Sequence, residues 1–238
     1  MAGAYYPRIV TDGMALCLDT GNRESYTSGS FVWRDLSINN KNGALSGSPG
    51  YNASNLGSIV FNGIDVISTS GALPGSFATF TVSVWFFPLT FTNWQNVLDC
   101  NYAYNGTTGN IGPRFEIDSS GAGSWAYSDI TNDNNRFYMH SSGQMQLNQW
   151  NNSTITYDGS NSFIYYNGSS TGTVRTAGSG GAPTGFIGSM NNVYIGRGFS
   201  LATRFFNGRV SHVTIYNRSL SAGEVSQNFS ATRGRFGI

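Results

Sequence analysis

Glu116 and Asp118 stand two positions apart in Phe115-Glu-Ile-Asp-Ser-Ser120, so in an extended chain both carboxylates fall on one face. Two carboxylates placed across a scissile bond are what glycoside hydrolysis requires. His140 and His212 are the other conceivable bases. No Gly-x-Ser-x-Gly elbow or other nucleophile signature accompanies them, so strand-end or surface histidines are the preferred reading. Gly178-Ser-Gly-Gly181 is followed by neither Lys-Ser/Thr nor a helix start, so a phosphate cradle is not supported. No catalytic residue is assigned.

Recognition chemistry has better material. Sugars are held by aromatic faces stacked on apolar pyranose patches, with Asn, Asp, Arg and backbone groups fixing the hydroxyls, usually on loops of a rigid scaffold. Trp94, Tyr102, Tyr104, Trp125 and Tyr127 lie in polar, Gly/Asn-rich segments and are the candidate carbohydrate-binding residues. Loop packing or contact with another subunit is the competing reading for these five, because interfaces also favour Tyr and Trp. Trp85, Phe86 and Phe87 read as core. Tyr5, Tyr6 and Arg8 near the start, with Arg233 and Arg235 near the end, are candidate docking residues, against solvated termini as the alternative.

The elements that must position these residues follow from composition. Of 238 residues, only Lys41 is lysine and only Glu24, Glu116 and Glu224 are glutamate, so the strong polar helix formers are nearly absent. Charged residues make up 11%, aromatics 14%, and glycine supplies 31 positions, a pattern of many short strands joined by turns. Thirteen Lys+Arg against 12 Asp+Glu leave a net charge of +1, which provides no footprint for nucleic acid or an anionic membrane. No apolar run approaches a membrane span, and Met1–Pro7 lacks the regions of a secretory signal. Cys17 and Cys100 lie in apolar runs, where a buried free thiol is preferred over a disulfide.

Residues 1–12 read as an extended arm able to dock on a neighbour, and residues 13–238 as one domain. Strands are predicted at Met14–Leu18, Ser58–Phe61, Phe80–Phe87, Asn96–Cys100, Arg114–Ile117, Arg136–His140, Ser153–Tyr157, Ser162–Tyr166, Asn192–Ile195 and Gly208–Tyr216. In Phe80–Phe87 one face is apolar and the other aromatic-rich, so both faces are expected to be covered. Thr171–Gly188 reads as a long surface loop. One short helix is predicted at Leu220–Phe229, where Ser221 and Glu224 form a capping box and Leu220 and Val225 a hydrophobic staple. The fold class is all-β, a two-sheet antiparallel sandwich or jelly roll with this one helix.

Several blocks together resemble a known family: Gly57-Ser-Ile-Val-Phe-Asn-Gly63, Phe80–Pro88, Phe163-Ile-Tyr-Tyr-Asn-Gly168, Val193–Gly196, and above all Phe206–Val225. They are similar to laminin-G-like domains of the concanavalin A-like lectin/glucanase superfamily. The opening Ile9–Asn22, with Ser25-Tyr26 and Trp33–Ser37, resembles versions found in virion structural proteins of tailed bacteriophages. The resemblance implies a concanavalin A-like jelly roll and a non-enzymatic virion component, either a capsid decoration or part of a tail or fibre. Its implied partners are other virion proteins, in a homo-oligomer or lattice, and host surface glycans. A free-standing lectin is the alternative, and a degenerate glycanase a third.

Departures from the family bear on cofactors and activity. Where relatives read Phe-Asp-Gly-x-Asp-Asp, this chain has Phe61-Asn-Gly-Ile-Asp-Val66, and Ser211-His212 stands where an acidic residue often precedes the last strand. Calcium is the one cofactor the resemblance raises, and these losses argue against it. Asp19, Asp35 and Asp65 are the remaining candidate ligands, with solvated turn residues preferred. The glucanases carry their acids at alternating positions of one strand; the third such position here is Ser120, so the acid/base partner is missing.

Overall fold

In the computed structural model the described residues are 8–92, 94–101, 112–128, 136–172, 175–177, 190–198 and 203–238. In chain order they form β1 (Met14–Asp19), β2 (Val32–Trp33), β3 (Gly43–Ser46), β4 (Gly50–Asn52), β5 (Ser58–Asn62), β6 (Val66–Thr69), β7 (Phe80–Pro88), β8 (Gln95–Asn101) and β9 (Arg114–Ile117). There follow β10 (Ala122–Ser128), β11 (Arg136–Gln144), β12 (Asn151–Tyr157), β13 (Ser162–Tyr166), β14 (Ser169–Gly172), β15 (Arg175–Ala177), β16 (Asn192–Ile195), β17 (Asn207–Tyr216) and helix α1 (Ala222–Phe236).

One sheet runs β14-β13-β12-β7-β17-β5-β4, with β1 also paired to β17; the other runs β15-β11-β10-β9-β8-β16-β6-β3-β2. The strands of both sheets pair antiparallel throughout. The expected sandwich is therefore present. Val82, Val84 and Phe86 of β7 alternate into the core between the sheets, where they join Ile59, Phe115 and Ile195. Trp85, at an intervening position, faces outward under α1, so both faces of β7 are covered. Cys17 and Cys100 are buried and unpaired.

Helix α1 departs from its expected length. The N-terminal signal is realised: Ser221 accepts from the Glu224 amide, Glu224 reaches back to the Ser221 backbone, and Leu220 and Val225 share one apolar cluster. The helix then continues past Phe229 to Phe236. Thr232 and Gly234 are poor helix formers, and tertiary packing overrides them. The Trp85 ring stacks on Phe229 at 5.5 Å and on Phe236 at 4.1 Å, and its Nε1 donates to Thr232 Oγ1 at 3.1 Å. Arg235 donates to Asn55 O, Asp19 Oδ1, Thr20 Oγ1, Gly57 O and Ser211 Oγ. Arg235 is thus a structural plug, not a free docking residue.

The end of the arm also lies on its own domain. Val10 N–H donates to Asn228 Oδ1 at 2.7 Å, Tyr216 OH to Val10 O at 2.9 Å, and Gln227 Nε2 to Arg8 O at 2.7 Å. The loop expected at Thr171–Gly188 instead includes the end of β14 and the whole of β15. Among the described residues no helix is long and apolar enough to cross a membrane.

Candidate functional site

The outward face of β8 and β9 carries Glu116, which sequence reading singled out. On β9, Phe115 and Ile117 enter the core, which turns Arg114 and Glu116 to the opposite face. On β8 the register shifts between Asn96 and Leu98, a bulge that sets Asn96 opposite Glu116 and Asp99 opposite Arg114. Bulges of this kind re-aim side chains beside sites. A loop crosses above: Asn96 N–H donates to Arg204 O at 3.1 Å, and Gly196 N–H to Val97 O at 3.0 Å.

Glu116 is the centre of this face. Its side chain is 1% exposed, with Oε1 2.7 Å from Arg204 Nη1 and 3.2 Å from Arg114 Nε, and Oε2 accepting from Arg114 Nη2 at 3.3 Å. Both oxygens of this carboxylate are taken up by two guanidiniums, which leaves it poorly placed to pass a proton to a ligand. Asp118 is not its partner. It lies beyond the end of β9 and closes its own turn, accepting from Ser120 N, Ser120 Oγ and Ala122 N. Slight burial works to raise the Asp118 carboxyl, but the Ser120 hydroxyl and three backbone amides together hold it below the ordinary carboxylate value.

At the rim, Trp94 takes φ +49°, a strained conformation for a bulky residue, and its ring lies 5.7 Å from Arg204 Cζ. The Arg204 side chain is 32% exposed, and Glu116 is the partner of its guanidinium. Beneath, Asn96 is fully buried with neither amide atom hydrogen-bonded. Gly198 sits against it: a Cβ there would fall 2.3 Å from Asn96 Nδ2 and 3.3 Å from Asp99 Oδ2. An aromatic ring and a guanidinium with open donors therefore converge at the rim, above a buried unsatisfied amide. Such convergence can bind a polyhydroxylated ligand and offers no proton-transfer pair.

Trp94 is the member of the expected aromatic set that the structure brings here. Trp125 and Tyr127 are corrections: both sit on β10 in the core, 0% and 2% exposed. Their polar atoms bridge the two sheets, Trp125 Nε1 to Ser153 Oγ at 2.8 Å and Tyr127 OH to Ser162 Oγ at 2.5 Å. Neither ring can stack on a sugar. Tyr102 and Tyr104 lie outside the described residues, as do Tyr5, Tyr6 and Gly178–Gly181; Arg8 is exposed. Arg204 and Asn96 escaped sequence reading because nothing near them in the chain marks them. The signal that existed was Arg114 and Glu116 sharing one strand face.

The three aspartates considered as calcium ligands are engaged by their own chain, and they are not the solvated turn residues expected. Asp35 accepts from Cys17 N, Ser37 N, Ser37 Oγ and Lys41 N at 2.7–2.9 Å. Asp65, fully buried, accepts from Ser48 N and Asn62 N. Asp19 pairs with Arg235; burial would raise its carboxyl, but the charges of His212 and Arg235 and hydrogen bonds from Arg235 and Gly21 bring it below the ordinary value. Their oxygens close loops.

His212 is buried under α1 with its Nε2 3.9 Å from Cys17 Sγ, a pairing that invites comparison with a thiol nucleophile. Burial, reinforced by Asp19 and Asp35, pushes the Cys17 thiol up to about 12, and burial lowers His212. The Cys17 thiol therefore stays protonated at physiological pH, and no thiolate forms. His140 lies on β11, and its side chain is outside the described set.

Comparison with known proteins agrees with this architecture. Domain 4 of AbnA, a GH43 extracellular arabinanase from Geobacillus stearothermophilus solved in complex with arabinotriose, superposes with a TM-score of 0.65 at 15% identity, over 90% of this chain and 97% of that one. The binding domain of Paraclostridial Mosquitocidal Protein 1 gives 0.68 at 17% identity over 92% of this chain, and that of Botulinum Neurotoxin DC in complex with SialylT 0.66 at 13% over 93%. The chain spans about half the length of each of these two toxin domains, 52% in both cases. At such identities the likeness is one of fold. No curated protein sequence matches the chain. Residues 61–226, more than two thirds of the sequence, match the Laminin_G_3 model, and the chain belongs to this family of the concanavalin A-like lectin/glucanases superfamily.

Proposed function

We propose that this chain is a non-catalytic glycan-binding jelly-roll module, displayed on the particle of a tailed bacteriophage as a capsid decoration or tail-associated component, where it adheres to host surface glycans. One observation carries the recognition part: the Trp94 ring stands over Arg204, whose guanidinium is anchored from below by buried Glu116. A rim fixed in this way loses little freedom on binding, which is what a sugar site needs. The same residues support the non-catalytic reading, since Glu116 is engaged by Arg114 and Arg204 and Asp118 is turned into its own loop. Domain 4 of the arabinanase, a fold relative, was solved with arabinotriose. The setting on a particle is supported by the resemblance of Ile9–Asn22 and Trp33–Ser37 to virion versions of the domain.

The test is a glycan array probed with the labelled protein, beside a reducing-end assay on β-glucans. Binding to a host-surface polysaccharide, lost in Trp94→Ala and weakened in Arg204→Gln, is the expected result. Turnover of a β-glucan that disappears in Glu116→Gln would overturn the assignment. Cryo-electron microscopy of particles from the source decides the setting: density for this sandwich on the capsid or tail is expected, and particles lacking it would leave a free lectin.

A further inference from the structure

The opposite sheet carries a second polar–aromatic cluster that the site above does not use. Arg209 of β17 lies between Val60 of β5 and Phe87 of β7 in register, all on the outward face beyond the end of α1. Its guanidinium carbon sits 3.6 Å from the Phe87 ring centroid and 5.8 Å from that of Trp150. Phe87 and Trp150 meet edge to face at 5.6 Å. Asn207, two residues before Arg209 on the same face, completes the strip.

Arg209 is half-buried, and its Nε is fully buried with no hydrogen-bond partner. The ion pairs of the described residues use Arg114, Arg204, Arg218 and Arg235, and none uses Arg209. A cation withdrawn from water without a counter-charge is costly, and ring stacking offsets only part of that cost. The supply of an anion from outside would complete it.

The neighbouring backbone is held in a form that fixes this strip. Trp150 Nε1 donates to Asn55 Oδ1 at 3.1 Å, and Asn55 and Leu56 both take positive φ, +56° and +60°. Two successive non-glycine residues in that region are strained, and a leucine there is rare. Arg235 holds them, through Arg235 Nε to Asn55 O at 2.6 Å and Asn55 Nδ2 to Arg235 O at 2.9 Å. Leu56 is 68% exposed, so burial of its side chain does not account for the strain. Strain that persists only because its surroundings impose it is a mark of positioning. Here it sets the indole plane beside Arg209.

We infer that the Phe87–Trp150–Arg209 strip is a second binding site, for the anionic group of an acidic saccharide, carboxylate or sulfate, which pairs with Arg209 while the sugar ring lies against half-buried Phe87 and Asn207, with buried Trp150 as their backing. The saccharide nature of the ligand rests on the function proposed above, whereas the anion follows from the unpaired guanidinium itself. A planar guanidinium already stacked on a ring presents its edge donors in a fixed fork, the arrangement that suits carboxylate and sulfate oxygens.

The experiment is isothermal titration of the full chain with four probes: oligogalacturonate, a sulfated galactan oligomer, the neutral galactan oligomer, and inorganic sulfate. Binding of one acidic oligomer is expected, with the neutral oligomer and free sulfate each at least about tenfold weaker, and the two acidic arms separate carboxylate from sulfate. Arg209→Gln, which keeps a planar stacking group, is expected to weaken that binding about tenfold, and Arg209→Lys, which keeps the charge but loses the fork, to weaken it less. Quenching of tryptophan emission by the acidic oligomer is expected to disappear in Trp150→Phe. Equal binding of acidic and neutral oligomers, or acidic binding that survives Arg209→Gln and falls in Arg204→Gln, would overturn the inference while leaving the glycan function intact. No binding of any acidic probe also overturns it, whatever the array shows for Trp94.

Discussion

Arg235, in the last turn of α1, forms an ion pair with Asp19 at the end of β1, 216 positions earlier in the sequence. The same guanidinium reaches Thr20 Oγ1, Gly57 O and Ser211 Oγ, so one side chain ties the helix to β1, β17 and the turn before β5. Its side chain is 10% exposed. Removing it strands a mostly buried carboxylate and several polar atoms, and Arg235→Ala is expected to cost about 2–4 kcal/mol. Urea unfolding checks this. A change in midpoint equivalent to less than about 0.5 kcal/mol, the scale of an exposed pair, would show that the contact is peripheral.

The other end of α1 is held by a titratable group. Hydrogen bonds from Arg218, with further bonds from Ser221, lower the Glu224 carboxyl from 4.5 to about 2. A carboxylate depressed on folding stabilises fully above its unfolded value, and that stability is lost as pH falls through the folded value. The Glu224 contribution is therefore intact above about pH 4.5 and disappears toward pH 2. Its side chain is 30% exposed, so water and salt screen the pair and the amplitude is modest. Circular dichroism of acid unfolding in Glu224→Gln is expected to show a shallower pH dependence across that window than the parent shows. Parallel curves would contradict the assignment.

Both thiols are expected to be inert in the folded protein. Burial, then Asp19 and Asp35, raise Cys17 to about 12, and burial with Asp99 raises Cys100 well above its ordinary value. Reaction with a disulfide reagent at pH 8 is expected to release no chromophore until denaturant is added, and then two equivalents per chain. Fast release of one equivalent without denaturant would mean that the Cys17–His212 pair is open to solvent.

What could be read from the residues divides along sequence distance. The alternation of β7 and the Ser221/Glu224 cap are local patterns, and both are realised. The segment Gly121-Ala-Gly-Ser-Trp-Ala-Tyr127 looked like a loop because it is rich in small residues, yet those residues make room for a core strand. At Gly123 a Cβ would fall 2.9 Å from Phe115 Cζ and 3.1 Å from Met145 Cε. The second half of α1 was hidden for a related reason, since it depends on Trp85, far away in the chain. The site itself was half legible: Trp94 and Glu116 stood out by type, but Arg204 reaches Glu116 across 88 positions. No local pattern encodes that contact.

The sign of one stability change separates the two meanings of Glu116. Catalytic carboxylates are held in surroundings that favour their chemistry over their stability, and replacing one is commonly neutral or stabilising. Glu116 is placed differently: it neutralises Arg114, whose side chain is 3% exposed, and anchors Arg204 at the rim. Glu116→Gln keeps the shape but leaves Arg114 buried with weaker compensation, and a loss of about 3 kcal/mol is expected, near the range for breaking a buried pair. Glycan binding through Trp94 should weaken in the same variant, because Arg204 loses its anchor. Thermal and urea unfolding measure the first effect, and titration of the glycan found on the array measures the second. A variant more stable than the parent would point to a site strained for catalysis, and the search for a hydrolysed substrate would then begin at Glu116.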